Sequence, residues 1–210
     1  MELIEALRSE HRLIESVAGS AIAWAQQRLL DEAPDVRQEY VGFFRDFVRG
    51  SHHRREEEIL FPALVEHAEV PEDRGPLAVL RDDHERLDGL LDQLESTDGD
   101  RAVLDAAREL AHHVWEHVDK EDSVLLPEAE ARLVRHGVRE LDDPGADEEA
   151  QAARRKGELL LERFRPVDDP SVVRGEGCIA CSAFAVTCRG IESEWWNAWE
   201  WQHHRSLEEG

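Results

Sequence analysis

Eleven residues beginning at His52, HHRREEEILFP, return as HVDKEDSVLLP at His117, so both stretches read H-x-x-x-E-[ED]-x-x-L-[FL]-P without a gap. On a helix, residues four apart share a face, so His52 with Glu56, and His117 with Glu121, each point an imidazole and a carboxylate the same way. Each pair is half of a metal site. Two looser echoes, EHRLIE around His11 and DHERLD around His84, complete an internal repeat of helix pairs, with offsets of 73 residues between the single histidines and 65 between the motifs.

Four segments carry apolar residues at helical spacing, with a histidine on the apolar stripe of each. The first runs from Leu3 through His11 to Ala21 and ends at Asp31 to Pro34. The second runs from Val41 through His52 to Ala63 and closes at Pro71 and Gly75-Pro76. The third runs from Leu77 through His84 to Leu94, the fourth from Val103 through His117 to Val124, and Asp98-Gly99-Asp100 lies between them as a turn. In an antiparallel hairpin, residues equidistant from the turn lie level. His11 and His52 are equidistant from the first turn, and His84 and His117 from the third. His52 and His84 are centred within about five residues of the middle turn, roughly 7 Å of axial rise. The expected fold is all-α, an antiparallel up-down-up-down four-helix bundle with the four imidazoles at one level. Burying four imidazoles and two carboxylates without a metal would be very costly, so a metal site is the expectation.

The order H, HxxxEExxLFP, H, HxxxE[ED]xxL[FL]P resembles the hemerythrin-like, or HHE cation-binding, proteins over about residues 1–135. The resemblance implies a bundle enclosing a non-haem di-iron centre with an oxo or hydroxo bridge. It implies His11, His52, His84 and His117 as terminal ligands and Glu56 and Glu121 as bridges. The chemistry is consistent, because two cations a few Å apart need bridging anions, while imidazoles complete the coordination without adding charge. One open position on each iron would then take O2, peroxide, NO or water. The chain departs from the oxygen-carrying animal hemerythrins, whose fifth histidine falls in an HxxxH pair on the third helix. Asp88 stands at that place. The departure favours redox turnover, of a peroxidase or catalase-like kind, or sensing over reversible carriage. His113, four before His117, is a candidate for the missing imidazole, or else a residue that supports the ligands or simply packs beside them. Glu15 and Asp88, four after His11 and His84, are candidates to orient those imidazoles, or else belong to a solvated face. His53 and His112 step off the seam and are expected partly exposed, as are His67 and His136.

Beyond the bundle at 1–140, residues 141–170 read as a charged helix and linker, and 171–210 as a Cys/Trp-rich tail. Cys178, Cys181 and Cys188 with His203 or His204 offer a Cys3His zinc site; a redox-active thiol set, a Cys178–Cys181 disulfide and plain reduced thiols are the alternatives. Trp195, Trp196, Trp199 and Trp201 suggest that the tail folds back on the bundle or meets a second subunit or another partner. With 48 Asp and Glu against 25 Lys and Arg, the net charge of −23 argues against nucleic-acid and anionic-membrane partners. No apolar run approaches a membrane span, the first residues lack a signal-peptide pattern, and three clustered cysteines make no disulfide framework, so the cytoplasm is the expected location. A regulatory or iron-handling module, in which occupancy of the centre stabilises the fold and the tail engages a partner, is the alternative function.

Overall fold

A computed structural model describes residues 1–73 and 75–167, and all its regular elements are helices. The expectations for Cys178, Cys181, Cys188, His203, His204 and the tryptophans of the tail lie outside the described residues. Helix α1 spans Glu2–Leu29. Helix α2 spans 37–68 and joins α-helical Arg37–Phe43 and Phe61–Ala68 through π-helical Phe44–His53 and Glu56–Leu60. Helix α3 is Pro76–Ser96. Helix α4 spans 100–135, α-helical over Asp100–Lys120 and Leu126–Arg135 with π-helical Glu121–Leu125 between. Helix α5 is Glu148–Arg163.

The first four helices alternate in direction, as the hairpin arithmetic requires. Their apolar stripes make two cores rather than one. Val17, Phe44, Leu91 and Leu110 belong to the core toward the α1–α2 and α3–α4 turns. Leu7, Leu64, Leu80 and Leu133 belong to the core toward the N-terminus and the α2–α3 turn. The layer between them holds the repeat itself, with His11, His52, Glu56, His84, His117 and Glu121 all buried.

Both copies of the motif end in proline, and that proline explains the wide turns. Pro62 and Pro127 lie in the first turn of the α-helical pieces that follow. A proline inside a longer helix has no N–H to donate, and its ring crowds the carbonyl four residues back. The chain accommodates this by widening one turn: the Phe61 N–H donates to the Glu56 carbonyl and the Leu126 N–H to that of Glu121, each five residues back. Both glutamates of the repeat thus begin a π turn.

Within the segment read from the sequence as a charged helix and linker, the described residues from 147 to 167 contribute to the bundle's own core. Asp147 caps α5 by accepting from the Ala150 N–H at 2.8 Å. Ala153, Leu160 and Phe164 then join the first core, and the Val167 N–H donates to the Gly19 carbonyl at 3.2 Å. The fit depends on a missing side chain. A Cβ on Gly157 would lie 2.5 Å from the ring of Phe43, which is itself fully buried and stacked on Phe47.

Gly157→Ala should therefore cost about 1–3 kcal/mol through overpacking and lower the thermal unfolding midpoint. Gly89→Ala, in open space on α3, should leave the midpoint unchanged or raise it, since alanine is the better helix former by roughly 0.5–1 kcal/mol.

Candidate metal centre

Glu56 and Glu121 enter the central layer from α2 and α4, where the repeat places them four residues after His52 and His117. Each carboxylate divides its oxygens between two imidazoles. Glu56 has Oε1 3.4 Å from His52 Nε2 and Oε2 3.5 Å from His84 Nε2. Glu121 has Oε2 3.1 Å from His11 Nε2 and Oε1 3.5 Å from His117 Nε2. Two groups of ligand atoms result, each within 4.8 Å of one another: His11, His52, Glu56 and Glu121 in one, His53, Glu56, His84 and His117 in the other.

One of the sequence expectations changes, and two sets of alternatives are decided. His53, expected off the seam, is 2% exposed and stacks on His84 with ring centroids 3.6 Å apart. The π-helical stretch that ends at His53 turns the chain less per residue than an α-helix, so adjacent His52 and His53 both face inward. His113 is buried, but its Nε2–H donates to the Asp83 carbonyl at 2.8 Å, and it belongs to neither ligand group. The rings that Glu15 and Asp88 are candidates to orient are held by other acids. The imidazole of His11 is held by Asp122, at 2.9 Å from Nδ1, and that of His84 by Glu57, at 2.5 Å, while Asp88 pairs with Arg49. His112 is half-buried, and His67 and His136 are exposed, as expected.

The outward nitrogens follow one rule. His52 Nδ1 meets Glu10 at 2.9 Å, and His117 Nδ1 meets Asp83 at 3.4 Å. Four imidazoles therefore point Nε2 inward and turn Nδ1 to a carboxylate on a different helix. Each carboxylate in turn has a cation behind it: Arg55 on Glu10, Lys120 on Asp83, Arg49 on Glu57 and Arg8 on Asp122. The sequence holds the signal for this arrangement in the residues flanking the motifs. An acid precedes both single histidines (Glu10, Asp83), a base precedes both inner glutamates (Arg55, Lys120), and an acid follows both (Glu57, Asp122).

Apart from the Nε2 atoms of His11 and His52, which lie 3.1 Å apart in a hydrogen bond, most of the inner atoms are left without partners. Among the described residues nine buried side-chain polar atoms lack a hydrogen bond, and seven belong to His53, Glu56, His84, His117 and Glu121. At about 1–3 kcal/mol for each unsatisfied group, such a layer would consume much of a domain's stability of about 5–15 kcal/mol. The protein alone answers with protons. Burial, and then the charge of Glu121, push the Glu56 carboxyl well above the usual carboxylate range. Burial opposes charge on His11, yet Asp122 and Glu121 outweigh it and raise the imidazole to about 9. His52, by contrast, falls to about 4 through burial and the neighbouring His11. A site that buries two carboxylates side by side, with unpaired donor atoms converging from α2, α3 and α4 and the His11 imidazole joining them from α1, has the charge and the donor set that metal cations require. The residues present fit a pair of them.

A small cavity reaches this layer between Val48, Leu87, Val114 and Val118, with His53 and His117 in its wall and room for about one water-sized molecule.

Comparison with protein families matches residues 2–129 to the hemerythrin HHE cation binding domain. Comparison with curated proteins and with solved structures gives no significant match. None of the helices among the described residues is long and apolar enough to cross a membrane.

If the carboxylates behind the imidazoles fix their orientation, Glu57→Gln should weaken divalent-metal binding about 10–100-fold in competition with a chelator. Asp88→Asn, which leaves the His84 contact in place, should change it less than about twofold.

Proposed function

The chain belongs to the hemerythrin HHE cation-binding family, and from that premise we propose that it is a non-haem di-iron protein that binds, senses or turns over O2, peroxide or NO. In this reading His11 and His52 would hold one iron and His84 and His117 the other, with Glu56 and Glu121 shared between them. The division of each carboxylate's oxygens between the two imidazole groups is the observation that carries it, since a single cation would have no use for that arrangement. Imidazole and carboxylate donors in a two-metal arrangement favour iron over zinc, which prefers four-coordinate closed sites with thiolate or imidazole.

When bound, the iron pair would supply a redox-active Lewis-acid centre with positions for a small exogenous ligand. The protein's own groups prepare that centre. Asp122, Glu10, Glu57 and Asp83 each accept the Nδ1 proton of an imidazole, which leaves Nε2 free to donate its lone pair and strengthens it as a base. Val48, Leu87, Val114 and Val118 line one side of the small cavity at the layer, and its size, about one water-sized molecule, is too small for organic substrates.

A second reading, an iron-responsive module, is favoured by Arg55. Its guanidinium is almost wholly buried, pairs with the Glu10 that holds His52, and reaches Asp143 at 3.4 Å in the segment that leads into α5. Loss of metal would loosen His52 and, through Glu10 and Arg55, that segment. Iron removal should then expose 136–147 to protease, whereas an enzyme with an indifferent scaffold would show catalytic peroxide breakdown and an unchanged cleavage pattern.

Protein loaded anaerobically with iron should bind close to two irons per chain and, after exposure to air, absorb in the near ultraviolet through ligand-to-metal charge transfer. One tightly bound zinc per chain and no such band would overturn the di-iron reading. Glu121→Ala should lose at least one metal, and the thermal midpoint of the loaded protein should fall with it, because metal affinity is folding free energy here.

A further inference from the structure

The internal repeat carries the same contacts at most positions around the layer, and His53 is one of the places where the two copies differ. Glu10 corresponds to Asp83, Arg55 to Lys120, and Glu57 to Asp122, and each corresponding pair makes the corresponding contact. The 65-residue offset that carries His52 onto His117 carries His53 onto Val118. Val118 packs in the first apolar core. His53 does not. Its ring lies flat against that of His84, with an angle of 10° between planes, and edge-on to His117 at 5.3 Å. Its Nδ1 is buried without a partner, and its ligand atom falls in one group with those of Glu56, His84 and His117. The ten-residue π-helical stretch Phe44–His53 that turns it inward has no counterpart in α4, which is α-helical from Asp100 to Lys120.

We propose that His53 is a fifth imidazole ligand and that it makes the two metal positions chemically unlike. The inference rests on the two-metal reading above. The position beside His84 and His117 then has three imidazoles and two bridging oxygens, while the one beside His11 and His52 has two imidazoles and two bridging oxygens. The second position is one protein ligand short of its neighbour. The chain thereby obtains from the helix that carries the first motif the asymmetry that Asp88, on α3, does not supply. A packing role for His53 would need only its shape and a hydrogen bond, and its unpartnered Nδ1 argues against that role.

The test is a Mössbauer spectrum of the full chain loaded with two equivalents of iron-57, before and after substitution of His53. Wild-type protein should show two quadrupole doublets of equal area with distinct splittings. A single doublet from a protein containing two irons would overturn the inference without any variant, and would leave the two-metal reading standing. Failure of the wild type to take up two irons would instead remove the reading beneath it. In His53→Gln, which keeps a polar side chain of similar reach, the splittings should converge and the tighter of the two sites should weaken at least about tenfold in chelator competition. Retention of both wild-type doublets and both affinities in a His53→Gln protein with unchanged helicity would also overturn it.

Discussion

Two buried carboxylates, each facing an imidazole on either side, set the terms for everything else in this molecule. Glu56 and Glu121 sit fully buried between two apolar cores, with the inward imidazoles and each other as close polar neighbours. Carboxylates so placed repel each other and have lost their water, which is the costliest arrangement a helical bundle can hold without compensation. The four helices must cross this layer at one height so that inward nitrogens surround the pair. That requirement fixes the register of α1 against α2 and of α3 against α4 more tightly than the leucine, valine and alanine packing above and below it, which tolerates small slips.

The backbone bends to the same requirement. Proline at the end of each motif forbids a regular turn, and the widened turn that replaces it opens on the glutamate of the layer. π turns are uncommon in folded proteins and concentrate at functional sites because each forfeits good hydrogen-bond geometry. Three of them here adjoin or contain residues of one layer. Around that layer the charges are arranged in order: imidazole, then carboxylate, then cation, moving outward from the centre. The outer arginines and lysine pair with Glu10, Asp83, Glu57 and Asp122, and these carboxylates in turn hold the imidazoles in one tautomer. A chain with net charge −23 thus places several of its few cations where they stabilise acids that would otherwise repel the site.

Helix α5 shows how a fifth element joins such a bundle without a large apolar stripe. Its buried face is Ala150, Ala153, Gly157 and Leu160, small residues that bring its backbone close to Phe43. Close approach substitutes for side-chain volume, and dispersion contacts between backbone and ring take the place of leucine packing. The segment before it is tied to the layer through Asp143 and Arg55, so the domain extends past the residues that hold the metal motifs.

The sequence by itself determined the bundle, the level of the layer and six of its side chains, because large apolar residues and the doubled motif both repeat at the period of an α-helix, and that period converts spacing into direction. Tertiary structure alone decided the rest, for reasons of the same physics. Counting by α-helical steps puts His53 outside, and a π turn, which advances less per residue, puts it inside. Counting four residues on from His11 and His84 leads to Glu15 and Asp88, whereas the acids that hold those rings, Asp122 and Glu57, come from neighbouring helices whose facing angle no single-helix period contains. The docking of α5 was hidden for a third reason: a face of alanine and glycine carries too little hydrophobic signal to read, and its complementarity to Phe43 exists only once both helices are in place.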